Sequence, residues 1–417
     1  MSPSAFSIVF LFFLLTMLAV RFWLGVRHIR HVRAHRETVP AQFAASISLE
    51  AHRKAADYTI AKTRLGLAER FVEGAALLGF TLLGGLQLLH DWLFGLAGGG
   101  MALQLGLLAV CACISGAVEM PFGYYRQFVL EQAFGFNRMT PKLFWIDLFK
   151  GAMLGAVIGL PLAWVLLVLM GKAGVLWWLY AWLCWVAFQL GMLVLYPTVI
   201  APLFNKFTPL SDDALRSRIE DLMQRTGFAS KGLFVMDGSK RSAHGNAYFS
   251  GFGAAKRIVF FDTLIERLAP PEIEAVLAHE LGHFRLRHII KRMALMFLLS
   301  LLFFALLGYL KAQPWFYAGL GVNPHNASTD AMALLLFVLV MPVFTFFGSP
   351  LASISSRRHE YEADAFAAEH TKAQDLVTAL VKMYEDNAST LTPDPLYSAF
   401  YDSHPPASLR VDKLLSA

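Results

Sequence analysis

Three residues within one helical turn define the chemistry this chain could do: His279, Glu280 and His283, in the run from Glu274 to Phe284 that reads E-A-V-L-A-H-E-L-G-H-F. At about 100° per residue His279 and His283 fall on one helix face, and Glu280 lies about 60° from His283. Two imidazoles so spaced can ligate a catalytic zinc, while the glutamate between them stays free to take a proton from water that the metal activates. H-E-x-x-H also arises by chance on amphipathic helices, so its setting matters. Pro270 and Pro271, followed by Glu272 and Glu274, suit a helix N-terminus, and Ile273, Val276 and Leu277 supply an apolar face. Two histidines and a glutamate on a partly buried helix need compensation for their desolvation, and a metal provides it. The stretch reads as a zinc protease active site.

A zinc of this kind takes three protein ligands and keeps one position open. The segment from Ser356 to Asp364, S-R-R-H-E-Y-E-A-D, reads as a helix with Glu360 and Asp364 a turn apart on one face. Glu360 can ligate, and Asp364 can hold a ligand imidazole by its other nitrogen. Glu362 and His359 are rival ligands, and spacing alone leaves that choice open. His404 stands before Pro405 and Pro406. It can cap a turn or, on a rigid corner, donate to the oxyanion of a tetrahedral intermediate. His244 and His288 have no such setting and read as local hydrogen-bonding or surface groups. The stretch Lys240 to Phe252 is glycine-punctuated and suits an exposed strand. Within it, Asn246, Ala247, Tyr248 and Phe249 are expected to form an edge to which a peptide substrate adds as another strand.

These residues must be positioned by a very apolar chain. With 417 residues, 56% hydrophobic and 16% charged, and a mean hydropathy of +0.51, it is a polytopic membrane protein rather than an ordinary soluble one. The formal charge of +6 sits mainly beside apolar spans, which points to membrane orientation and not to a nucleic-acid partner. Cys111, Cys113 and Cys184 lie inside apolar runs without zinc-knuckle spacing and read as packing residues.

Spans are expected at about Ala5–Leu24, Phe71–Leu96, Met101–Met120, Phe149–Met170, Val175–Tyr196, Met293–Leu310 and Ala331–Phe347, about seven in all. The first has no Lys or Arg before it and Arg21, Arg27, Arg30, Arg33 and Arg36 at or after its end, so it is read as a retained anchor with its N-terminus outside. The Arg/His-rich segment 27–70, the loop with Arg126, Arg138 and Lys142, the polar block from Asn205 to Arg292 and the C-terminal tail then fall on the cytosolic side, with the active site. His28, His31 and His35 stand among so many arginines that a solvated, lipid-facing helix is favoured over a metal tract. Residues 1–197 form an N-terminal membrane region of about five spans. Residues 198–417 form a metallopeptidase region interrupted by two spans near 293–310 and 331–347. A helix is expected over Asp212–Thr226 and short strands over Gly232–Val235 and Arg257–Asp262. Glu73, Glu119 and Gln189 inside the spans would also suit a transporter or receptor with a structural zinc site, but such a site has four ligands and no need of Glu280.

Across nearly its whole length the chain resembles the Ste24-type CAAX prenyl protease family, a membrane branch of the M48 zinc metallopeptidases. The matching stretches are Phe134 to Thr140 with Phe144 and Asp147, Pro202 to Phe207, Asn246 to Phe249, the H-E-L-G-H core, Ser356 to Asp364, and Ser403 to Pro406 followed by Arg410. Asn246 to Phe249 also resembles the substrate strand of thermolysin-like proteases. The resemblance implies a mainly α fold, with about seven spans enclosing a water-filled chamber and a small α+β zincin-like (gluzincin) catalytic unit. It implies one Zn²⁺ per chain on His279, His283 and Glu360, supported by Asp364 and Arg410, with Glu280 as general base and His404 as the oxyanion donor. The expected partners are the lipid bilayer and peptides or proteins with a hydrophobic or lipidated C-terminal segment; a broad quality-control protease is the rival within the enzyme class. The short extracytoplasmic loops and the lack of an ER-retrieval signal place a bacterial inner membrane first and the endoplasmic reticulum second.

Overall fold

The computed structural model describes residues 1–228, 232–250, 257–327 and 329–416. The chain begins with α1 (Pro3–Ala34), whose first turn is capped by the Ser2 hydroxyl accepting from the Ala5 N–H at 3.2 Å, with Pro3 starting the helix. At about 1.5 Å per residue, this helix is much longer than a bilayer core is thick. It runs ten residues past the expected end of the first span, carrying Arg27 and His28 out of the apolar zone on the same rigid rod.

Next come α2 (Leu49–Phe80) and α3 (Gly85–Ala97), bent by 57° at the break between them. The single span expected over Phe71–Leu96 is therefore a broken pair. The break has a local cause: Gly84 adopts φ 78°, and a side chain at Gly85 would lie 2.5 Å from the Gly79 carbonyl oxygen. Four further helices follow: α4 (Met101–Tyr125), α5 (Pro141–Lys172), α6 (Trp177–Leu195) and the short α7 (Ala201–Phe204).

The polar block then supplies β1 (Phe207–Pro209), α8 (Asp213–Arg225), β2 (Leu233–Met236), β3 (Ala247–Ser250), β4 (Arg257–Phe261), α9 (Asp262–Arg267) and α10 (Pro270–Arg285). The expected helix and both expected strands are present, and β1 is an addition. The sheet order is β1-β2-β4-β3, with β2 parallel to β4 and the other pairs antiparallel. Hence β3 forms one edge, with Ala247 opposite Phe260 and Tyr248 opposite Val259. Gly251 and Phe252, the end of the expected exposed stretch, lie outside the described residues.

Two apolar helices, α11 (His288–Lys311) and α13 (Asp330–Thr345), flank the short α12 (Pro314–Ala318). The chain returns through α14 (Ser349–His370), α15 (Ala373–Asp386), α16 (Pro395–Tyr401) and α17 (Ala407–Leu415). Among the described residues six helical segments are long and apolar enough to span a membrane, or seven with the bent pair. Two main cores result. One joins the membrane helices through Phe10, Leu14, Leu107 and Leu336. The other joins the sheet to α10, α15 and α17 through Phe260, Ile273, Leu380 and Val411, and takes in Phe43 and Ile47 from the loop between α1 and α2.

The extension of α1 corrects one reading of its histidines. His28 is buried: its ring stacks on Tyr397 at 4.0 Å and its Nδ1 accepts from the Asp394 N–H at 3.2 Å. Arg27 bonds the Asp394 carboxylate at 2.9 Å, and Asp394 caps α16. His28 is therefore neither solvated nor lipid-facing, whereas His35 at the C-terminal cap of the same helix is exposed. Arg27 and His28 hold the C-terminal loop that leads to His404.

Candidate active site

Both imidazoles of the motif ride on α10. Glu272 accepts from the Ala269 N–H at the helix start and from Lys382 of α15, each at 2.7–2.8 Å. Glu274 accepts from Arg218 and Arg225 of α8 at 2.6 and 2.8 Å. The two acids of the first turn thus fix the helix to its neighbours, while Ile273, Leu277 and Leu281 are buried in the core.

The helix α14 reaches α10 at Gly282. A Cβ there would meet the Ala363 Cα at 3.0 Å and the Phe366 Cβ at 3.1 Å, so glycine permits an approach that any side chain would crowd. One turn before Ala363, Glu360 then projects onto the motif. His279 Nε2 and His283 Nε2 lie 3.2 Å apart, His279 Nε2 is 3.5 Å from Glu360 Oε2, and His283 Nε2 is 3.3 Å from Glu360 Oε1. A tetrahedral cation with bonds of 2.0–2.1 Å requires ligand atoms about 3.3–3.4 Å apart, and the two imidazole nitrogens lie near that distance from each other and each from one of the two Glu360 oxygens. Glu280 is half-buried on the same helix and stands outside that group of ligand atoms.

Supporting contacts fix each imidazole. Asp364 accepts from His279 Nδ1 at 2.8 Å and from Arg410 at 2.6 and 2.9 Å. Burial pushes the His279 imidazolium down, but its hydrogen bonds to Asp364 and Glu360 outweigh this and raise it to about 9. On the other side, His283 Nδ1 lies 3.0 Å from His288 Nδ1, and His288 Nε2 lies 2.9 Å from Glu362. A neutral His283 that offers Nε2 as a ligand carries its proton on Nδ1 and donates to His288, which then donates from Nε2 to Glu362.

This relay accounts for the two rival ligands. His288, His359 and Glu362 form a second group of ligand-type atoms, but the His288 and His359 rings stack at 4.1 Å and 12°. No cation can lie in the plane of both rings so stacked. Glu362 serves His288 instead of joining His279 and Glu360. The reading of His288 as a local or surface group missed this contact, and His244 likewise bonds distant segments, Asn387 at 3.0 Å and Glu131 at 3.4 Å.

His404 places Nδ1 2.6 Å from Glu360 Oε2, and its side chain is 60% exposed. It lines a cavity of about 540 Å³ bounded by α1, α2 and the C-terminal loop. Two residues further on, Pro406 precedes α17, which carries the buried Arg410, so the Pro-Pro corner links both residues to the site. Asn246 Oδ1 accepts from the adjacent Ala247 N–H at 2.8 Å, and β3 packs beside α10.

The sequence pattern of CAAX prenyl protease N-terminal regions, with five membrane helices, matches residues 28–206, and the pattern of peptidase family M48 matches residues 209–417. The chain belongs to peptidase family M48. It is 34% identical over 409 residues to a CAAX prenyl protease 1 homolog of Arabidopsis thaliana, covering 94% of each chain. It is 37% identical over 329 residues to CAAX prenyl protease 1 of Saccharomyces cerevisiae, covering 75% of this chain and 72% of that one. The crystal structure of S. mikatae Ste24p superimposes with a TM-score of 0.91 at 31% identity, covering 98% of both chains. This M48 protein is therefore an integral membrane metalloprotease of the Ste24 type. The resemblance read from the motifs holds, as does the mainly helical fold.

Proposed function

We propose that this chain is a zinc endopeptidase that cuts hydrophobic or prenylated peptides near their C-termini at the cytosolic face of the membrane. The carrying observation is the convergence of three ligating side chains, with the two imidazole Nε2 atoms 3.2 Å apart and lying 3.3 and 3.5 Å from the two oxygens of Glu360, backed by Asp364 and His288. Zinc held by His279, His283 and Glu360 would supply an activated water and polarise the scissile carbonyl.

The protein's own residues do the rest. Glu280 takes the proton from the attacking water and returns it to the leaving amine. His404, whose Nδ1 lies 2.6 Å from Glu360 Oε2, donates a hydrogen bond to the developing oxyanion. Asp364 and Arg410 hold His279 in its ligand tautomer. The outer edge of β3 borders no other strand among the described residues and suits a substrate strand, with Tyr248 alongside and the Asn246 amide fixing the register. Asn246 itself bonds the Ala247 N–H, so the pairing uses other backbone groups of that edge.

The prenylated substrate class is supported by the printed names of the relatives and by the apolar helices around the site, where an acyl or prenyl chain gains about 0.8 kcal/mol per buried CH₂. The division into an N-terminal membrane region to residue 197 and a peptidase region from 198 is supported by the two matched segments. An outside N-terminus rests on the basic residues that follow the first span. For the compartment we retain a bacterial inner membrane on the short extracytoplasmic loops; the eukaryotic sources of the relatives weigh toward the endoplasmic reticulum.

The test compares kcat/KM of purified protein for one peptide with and without a farnesyl group, alongside casein, with the cut sites mapped by mass spectrometry. Faster cutting of the farnesylated peptide near its C-terminus supports the proposal. Fastest cutting of casein, with no effect of the lipid, supports broad quality control instead.

A further inference from the structure

The cavity beside His404 is basic where the mechanism has no use for charge. Arg21 of α1 and Lys62 and Arg70 of α2 line it, and the acidic side chain on its wall is Asp402. Burial pushes the Asp402 carboxyl up, which weakens it as a counter-ion. Lys62 lies over the Tyr58 ring at 4.9 Å and Arg70 bonds Glu73 at 2.6 Å. Arg21 lies over the Phe346 ring at 4.8 Å, and its buried Nε has no hydrogen-bond partner among the described residues.

Arg21 and Arg70 also line a second cavity of about 220 Å³, deeper among the membrane helices. Leu18, Leu77, Phe80 and Leu339 form its apolar walls, and Glu73 and Glu119 are its acidic residues. The two guanidiniums thus stand where a polar cavity that reaches His404 meets an apolar one. A ligand suited to that junction carries an anion next to an apolar group. Guanidinium binds carboxylate by a planar, charge-assisted fork, and an arginine left without that partner in a partly buried site is costly.

Resting on the peptidase reading above, we propose that Arg21 and Arg70 bind the free α-carboxylate of the substrate, with the apolar group beside it seated in the membrane cavity. The enzyme then recognises the chain terminus itself, through residues of the membrane helices and not of the metallopeptidase region.

The experiment measures kcat/KM for one apolar peptide as its free acid and as its C-terminal amide, in wild type and in the Arg21→Gln, Arg70→Gln and Arg21→Lys variants. Metal content of each variant serves as the check of folding. The wild type should prefer the acid by roughly tenfold or more, the scale of hydrogen bonds to a charged group. The preference should shrink toward unity in Arg21→Gln and Arg70→Gln and persist in part in Arg21→Lys. Equal cutting of acid and amide by the wild type overturns the proposal and leaves the peptidase intact. A preference unchanged in both glutamine variants assigns the carboxylate to other residues and also overturns it. Oleate offers the same carboxylate on an apolar tail: if it binds through Arg21 while acid and amide are cut alike, the pair serves a lipid anion. If the wild type cuts neither peptide, the peptidase reading itself fails.

Discussion

Gly282→Ala isolates the contact that assembles the metal centre. The added methyl would lie 3.0 Å from the Ala363 Cα, 3.1 Å from the Phe366 Cβ and 3.2 Å from the Ala363 carbonyl oxygen. Two of those atoms are backbone and cannot rotate away, so α14 must give by a few tenths of an ångström. Overpacking of this kind costs about 1–3 kcal/mol, against which alanine in a helix gains about 0.5–1 kcal/mol over glycine. Net stability should fall by up to about 2 kcal/mol. The effect on the metal is larger in kind, because Glu360 rides on α14 and both histidines on α10, and ligand distances tolerate only about 0.2 Å. Thermal unfolding and chelator competition on the purified protein should show a lower Tm and weakened metal binding. Gly155→Ala is the control: it makes the same exchange inside α5, where a Cβ meets nothing within 4 Å. If Gly282→Ala matches wild type in Tm and metal affinity, close helix packing does not set the ligand geometry.

Glu360→Ala should abolish metal binding, whereas His288→Ala and Glu362→Ala should weaken it about 10- to 100-fold, the scale of losing a partner behind a ligand; equal metal occupancy in all three would refute the assignment. For His404→Ala we expect retained metal and a fall in kcat of about 10²-fold or more, and an unchanged kcat would return His404 to capping its turn. Because His279 is raised from 6.5 to about 9, a proton competes with the metal below that value. Apparent metal affinity should climb roughly tenfold per pH unit up to about 9 and then level as far as this group is concerned. In the chelated protein the same charged His279 stabilises the fold fully below about 6.5, and this is lost as pH rises through about 9. A pH-independent affinity between 6 and 9 would contradict the raised imidazole.

The parts legible in the sequence were those with short-range signatures. The H-E-x-x-H spacing, the Glu360 and Asp364 turn, the Pro270 start of α10 and the apolar spans each declare themselves within one or two helical turns. Contacts between distant segments did not. His288 follows His283 by five residues across a helix break at Arg287, in the left-handed region at φ 58°, and its role depends on Glu362 seventy-four residues on. Nothing in the local pattern of His28 shows that Tyr397 will cover it. The glycine of the motif could be read as punctuation, but its need for the Ala363 backbone appears only once α14 is packed. The bend at Gly84 was likewise hidden inside an apolar run long enough to pass for one straight span.

Glu280→Gln tests the central claim most directly. Glutamine keeps the shape of the side chain but cannot accept the proton, and Glu280 stands outside the three-ligand group. Metal analysis and peptide cleavage on the same purified sample should show wild-type metal content with hydrolysis reduced to background. Wild-type-like cleavage by that metal-loaded variant would contradict the account.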